Sequence, residues 1–161
     1  MLTGTARTLT LVAAVASAVV AGVFFAFSTF VMPALRRMPG TTGMPAMQSM
    51  NRMAPASPLF MLALMGTAAL CVGLAIFVLV TRAGEAGTAW VVTGCALYLV
   101  CIVITGAYHV PRNDALDLVD PASAGAAETW RHYLAGWIPW NHVRTLSPLA
   151  ATVAFVVALG A

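Results

Sequence analysis

The stretch Thr8–Met32, TLTLVAAVASAVVAGVFFAFSTFVM, carries no charged side chain and decides how the chain must fold. It opens like a secretory signal, with Arg7 ahead of an apolar run and Ala16-Ser17-Ala18 placed like a cleavage site. The run continues past Ala18 to Met32, however, too long for a signal core and long enough for a helix that needs about 20 apolar residues to cross hydrocarbon. It reads as a retained transmembrane helix. Three further runs follow at Pro58–Val80, Gly87–Tyr108 and Val143–Gly160, the last short enough to begin almost flush with the interface. None alternates polar and apolar residues as a barrel strand would, and a helix closes its own backbone hydrogen bonds in lipid. The pattern predicts an all-α, integral membrane, antiparallel four-helix bundle, a single domain over residues 1–161 with short interfacial helices in its two long connections.

Composition agrees. Of 161 residues 61% are hydrophobic and 8% charged, too few polar side chains to cover a soluble globule of this size. The basic residues are all arginines and form no run that would address nucleic acid, so the bilayer is the expected partner. Arg36, Arg37, Arg52, Arg112, Arg131 and Arg144 fall on the side of the long connections, against Arg7 and Arg82 opposite. The positive-inside rule then places the long connections in the cytoplasm and both termini outside a multi-pass cell-membrane protein. Cys71, Cys95 and Cys101 lie scattered in the spans, fit neither a disulfide framework nor a zinc spacing, and read as small buried hydrophobes.

In the first span Ala14, Ala18, Gly22 and Ala26 repeat every four residues, a small-residue stripe that predicts close helix approach. Gly94 and Gly106 in the third span, and Gly66, Ala69 and Gly73 in the second, suggest the same. Met44 to Met53 reads as a short amphipathic helix lying in the interface. Asp120-Pro121 reads as an N-cap and first helical residue, opening a helix that carries Trp130, Tyr133, Leu134 and Trp137 on one face and stops at Pro139.

The polar residues suggest several chemistries. Met44, Met47, Met50 and Met53 have the soft thioether character that suits Cu(I), but steps of three drift around a helix and methionine is a common filler of apolar gaps. His109, His132 and His142 accompany Asp114, Asp117, Asp120 and Glu128 near one connection, yet Glu128 and His132 are four apart and occur once, unlike the Glu-x-x-His pairs of a di-iron bundle. Asp114 and Asp120 have simpler work at the starts of short helices. No metal site is predicted. The most unusual stretch is Trp137-Ile138-Pro139-Trp140-Asn141-His142-Val143-Arg144-Thr145. If Asn141 caps the fourth span, His142 and Arg144 sit where the helix dipole disfavours cations, so an anion is expected nearby. Pro148 also deprives the Arg144 carbonyl of its usual partner. An interfacial aromatic belt with a snorkelling arginine is the simpler alternative. Tyr108-His109-Val110-Pro111-Arg112-Asn113-Asp114 closes the third span at the same face. Pro111 should end that helix near His109, leaving Asn113 to cap the next one. His109, Asn113, Asn141, His142 and Arg144 are thus predicted to converge.

At these residues the sequence resembles the anthrone oxygenase-like family of small membrane proteins. The resemblance is carried by Gly22-Val-Phe-Phe-Ala-Phe-Ser28 with Met32-Pro33-Ala34-Leu35, by Met47-Gln-Ser-Met-Asn-Arg52, by Val110-Pro-Arg-Asn-Asp-Ala-Leu116, and by Trp137-x-x-Trp-Asn-His-Val-Arg-Thr145. It implies oxidation of anthrones to anthraquinones by molecular oxygen, and it carries over Asn51, Asn113, Trp137, Trp140, Asn141, His142 and Arg144. The family has Asn where this chain has His109, a departure. The expected function is a cofactor-free oxygenase of lipophilic phenolic or polyketide substrates, with molecular oxygen as co-substrate. His142 would be the base, with Arg144 and Asn141 or Asn113 steadying the oxyanion. Trp137 and Trp140 would wall the substrate, with Asn51, His109 and Trp130 as further binding candidates. The alternative is a non-catalytic membrane subunit or a lipid- or quinone-binding module. A homo-oligomer is compatible with either.

Overall fold

The computed structural model describes Leu2 and residues 4–161, and among the described residues there is no strand. Helix α1 spans Gly4–Arg37, α2 Gly43–Ala56, α3 Pro58–Thr81, α4 Ala86–Asp117 and α5 Ala126–Gly160. All but α2 are long and apolar enough to cross a membrane, so the protein is all-α and multi-pass. Helix α5 packs against α4 and α1, and α3 closes the ring by packing against the same two. Helices α1, α4 and α5 run 34, 32 and 35 residues, about 50 Å each at 1.5 Å per residue, against a hydrocarbon thickness of about 30 Å. The C-terminal ends of α1 and α4 and the N-terminal end of α5 meet α2, building a second apolar core from Met32, Leu35, Met44, Met47, Leu116, Trp130, Tyr133, Leu134 and Trp137. The first core lies among the spans, around Phe24, Leu64, Cys71, Tyr98 and Phe155.

Two proline-based expectations are corrected. Pro111 does not end the third span near His109. The helix widens instead, with the Val110 N–H reaching back five residues to the Thr105 carbonyl, and it continues to Asp117. Pro33 is absorbed the same way, since the Met32 N–H bonds to the Phe27 carbonyl. A π-turn of this kind re-pairs the backbone where proline has removed a donor. Pro139 likewise ends nothing: α5 passes through Pro139 and Pro148 to Gly160. An internal proline costs about 3 kcal/mol, and the buried Trp130, Tyr133, Leu134 and Trp137 before it and Asn141 and Arg144 after it offset that cost. Asn113 and Asn141 are therefore interior helical residues rather than caps, and Asp114 does not start a helix. Asp120 opens no helix either; its carboxylate accepts from the Ala122 N–H at 2.9 Å in a turn, and α5 begins at Ala126 behind Gly125.

The small-residue stripe on α1 is corrected too. Ala18 and Gly22 are exposed, and a Cβ on Gly22 would meet nothing within 4 Å. Strict steps of four drift by about 40° each around a helix of 3.6 residues per turn. The buried face instead follows Ala6, Thr10, Ala13, Ser17, Val20 and Phe24, alternating steps of three and four. Gly73 and Gly106 are also open, whereas a Cβ on Gly94 would stand 2.5 Å from the fully buried Phe155 ring. Gly94→Ala should therefore overpack the α4–α5 contact, cost about 1–3 kcal/mol and lower the melting temperature in detergent, while Gly73→Ala leaves it unchanged. Equal melting temperatures would contradict this packing.

Candidate functional site

Every membrane-crossing helix contributes to one cavity of about 630 Å³ at the end of the spans that faces α2. Three of them do so where their backbone is irregular. The π-turns are Phe27–Val31 in α1, Leu62–Gly66 in α3 and Thr105–His109 in α4, and Phe27, Leu64, Met65 and Thr105 line the cavity. Widened turns of this kind recur at functional sites because they re-aim side chains without ending a helix. Phe24, Phe60, Met47, Met50 and Trp137 complete the apolar wall. The volume falls within the range that holds a drug-sized ligand.

The polar groups are few and placed by α5, where Trp137, Asn141 and Arg144 share one face at steps of four and three. Arg144 is 6% exposed. Its Nε and Nη2 both donate to Asn141 Oδ1, at 3.1 and 2.7 Å. Asn141 is held in turn by donating to the Phe24 carbonyl at 3.0 Å and to Ser28 Oγ at 2.8 Å. The Arg144 guanidinium lies 4.0 Å over the Phe24 ring and 5.3 Å from that of Trp137, a cation–π arrangement that turns aromatic faces toward the charge. No carboxylate reaches it. The ion pairs among the described residues are Arg52–Asp117, Arg82–Glu85 and Arg131–Glu128. A buried cation with only a neutral amide for company is costly, and Arg144 lines the cavity. The cavity is thus electrostatically prepared for an anionic or strongly polarised oxygen.

Asn113 supplies the second donor. Its Oδ1 accepts from Tyr133 Oη at 2.9 Å and from Trp137 Nε1 at 3.0 Å. Two donors on one oxygen fix which way the amide points, and its Nδ2 donates to no group among the described residues while Asn113 lines the cavity. Asn51 ties α2 to the same layer by donating to the Asn113 carbonyl at 3.5 Å and to Asp117 Oδ1 at 3.3 Å. Trp137 is held by its indole bond to Asn113 and by ring contacts with His109 at 5.0 Å, Phe27 at 5.9 Å and Tyr133 at 6.4 Å.

Of the expected site residues, Arg144, Asn113, Trp137 and Asn51 line the cavity. Asn141 stands directly behind Arg144. His109 is fully buried behind Trp137, its ring nitrogens 3.4 Å from the carbonyls of Ile104 and Trp137. Trp130 packs in the second core, stacked on Tyr133 at 5.6 Å. Trp140 is exposed and meets Tyr108 at 4.9 Å. His142 does not join the group: it is exposed and outside the cavity, because an unbroken helix turns it about 100° away from Asn141. Phe24, Phe60, Ser28, Tyr133 and Asp114 were not anticipated in the sequence as parts of the site. Asp114, beside Asn113, lines the cavity at its exposed side. Among the described residues no three His, Cys, Asp or Glu gather as a metal site.

The fold and cavity define a small multi-pass membrane protein with an aromatic, arginine-bearing cavity between its helices. The family model described as anthrone oxygenase matches residues 59–154, which takes in α3, α4 and most of α5. The chain belongs to the anthrone oxygenase family. The similar stretches in α1 and α2 lie outside the matched residues. No curated protein and no solved structure matches the chain.

Asn141 is the hub that makes the buried guanidinium tolerable. Asn141→Ala strips the donors from the Phe24 carbonyl and Ser28 Oγ and, among the described residues, the only acceptor from Arg144, and should cost about 1–3 kcal/mol. Thermal melting in detergent reads this loss; an unshifted melting temperature would show that Asn141 does not hold the site together.

Proposed function

We propose that the protein is a membrane-embedded oxygenase that binds a flat, lipophilic phenolic substrate of the anthrone type in this cavity and converts it to the quinone. The observation that carries the reading is the buried Arg144 guanidinium, without an ion-pair partner among the described residues, at the wall of a space lined largely by aromatic and methionine side chains. A lipophilic tricycle partitions into the bilayer, and the site lies between the helices that cross it.

The chemistry needs little from a protein. An anthrone loses a carbon-bound proton to give an electron-rich enolate, which reacts with molecular oxygen; one anthrone and one oxygen molecule yield one anthraquinone and one water. The difficult step is forming the enolate, whose charge settles on the ring oxygen. Arg144 would meet that oxygen with fixed donors, and a preorganised donor of this kind contributes about 10²–10³ in rate. Trp137, locked by Asn113, His109 and Tyr133, would give the ring system a flat wall. Asn141 would act behind Arg144 as a positioning residue.

Purified protein in detergent, given a dihydroxyanthrone under air, should form the anthraquinone faster than the uncatalysed rate, and Arg144→Gln should lower kcat about 100-fold. Saturable binding without any acceleration would instead mark a lipid- or quinone-binding module and sink the oxygenase reading.

A further inference from the structure

Forming an enolate requires a base as well as an oxyanion donor, and among the described residues Arg144 and Asp114 are the only ionisable ones that line the cavity. His142, exposed on the outside of α5, does not reach it, and His109 is walled off behind Trp137. The chain has five acidic residues, and four of them are engaged. Glu85 pairs with Arg82 at 2.8 Å and Glu128 with Arg131. Asp117 meets Arg52 at 3.7 Å and Asn51 at 3.3 Å, and Asp120 accepts from the Ala122 N–H at 2.9 Å. The Asp114 carboxylate forms no hydrogen bond or ion pair among the described residues. Its backbone neighbour Asn113 is clamped to Tyr133 and Trp137, so the carboxylate is free on a rigid stretch of α4.

We propose that Asp114 is the base that takes the carbon-bound proton of the substrate, an assignment that rests on the oxygenase reading above. In an anthrone the acidic methylene and the carbonyl occupy opposite positions of the central ring. A base and an oxyanion donor serving one molecule must therefore stand at opposite ends of the site. Of these two lining residues, Arg144 is buried and Asp114 exposed. The methylene C–H bond breaks, its electron pair moves through the ring to the carbonyl oxygen, and the proton passes to an Asp114 carboxylate oxygen. The resulting oxyanion faces Arg144. Because Asp114 borders solvent, the proton leaves to water and the carboxylate is regenerated without a relay. A carboxylate suffices when strong donors hold the enolate, as in ketosteroid isomerase, where an aspartate removes a carbon-bound proton opposite an oxyanion hole.

The test separates proton removal from oxidation. A dihydroxyanthrone is incubated in deuterium oxide without oxygen, and the loss of its methylene protons is followed by NMR with wild-type protein, Asp114→Asn, Asp114→Glu and Asp120→Asn. Wild type and Asp120→Asn should accelerate exchange equally. Asp114→Asn should lose about 100-fold of that acceleration with ligand affinity little changed, and Asp114→Glu should recover part of it. The same melting temperature in Asp114→Asn and wild type shows that the loss is chemical. Exchange by Asp114→Asn at the wild-type rate, or no acceleration by wild type, would overturn the assignment. Exchange that depends on Asp114 without quinone formation under air would keep the base and remove the oxygenase reading.

Discussion

A guanidinium buried among helices with no carboxylate to neutralise it sets the terms for the whole polar end of this molecule. Arg144 would be expensive to hold there alone. Asn141 accepts two of its N–H groups, Ser28 and the Phe24 carbonyl fix Asn141, and the Phe24 ring lies against the cation. These partners come from α1 and α5, so the arrangement also fastens the first span to the last. What it leaves unmet is a negative charge, and the open space beside Arg144 is where one can enter.

That arrangement depends on irregular helices. Three of the four spans carry a π-turn at the level of the cavity, and α5 carries two prolines without breaking. The continuity of α5 keeps Trp137, Asn141 and Arg144 on one face. The continuity of α4 carries Asn113 and Asp114 to the cavity instead of releasing them into a loop. Two apolar cores flank the site, one among the spans and one beneath α2, so it sits between surfaces that are each well packed.

Much of this was legible in the sequence. The four apolar runs decided the helices that cross the membrane, and the crowding of Trp137, Asn141 and Arg144 marked the site. An anion was expected from the dipole at a helix start; that cause does not hold, since Arg144 lies mid-helix, and what the structure shows instead is a buried guanidinium without an ion-pair partner among the described residues. Local rules failed at the prolines. Pro111 and Pro139 disfavour helix by sequence, and tertiary packing with wider turns overrode them. Once α5 is continuous, His142 must face outward, and that long-range consequence cannot be read from residues 137–145. Asp114 was passed over because a carboxylate near a helix start has an ordinary electrostatic use. The role proposed for it becomes visible only when the other four acids are seen to be occupied.

The most direct measurement is a structure of the protein with a dihydroxyanthraquinone, the stable product-like ligand, bound. The account predicts the ring system lying along Trp137 and Phe24, with an oxygen at hydrogen-bonding distance of about 3 Å from the Arg144 guanidinium. A ligand seated elsewhere, or one in the cavity with its oxygens turned away from Arg144, would contradict it.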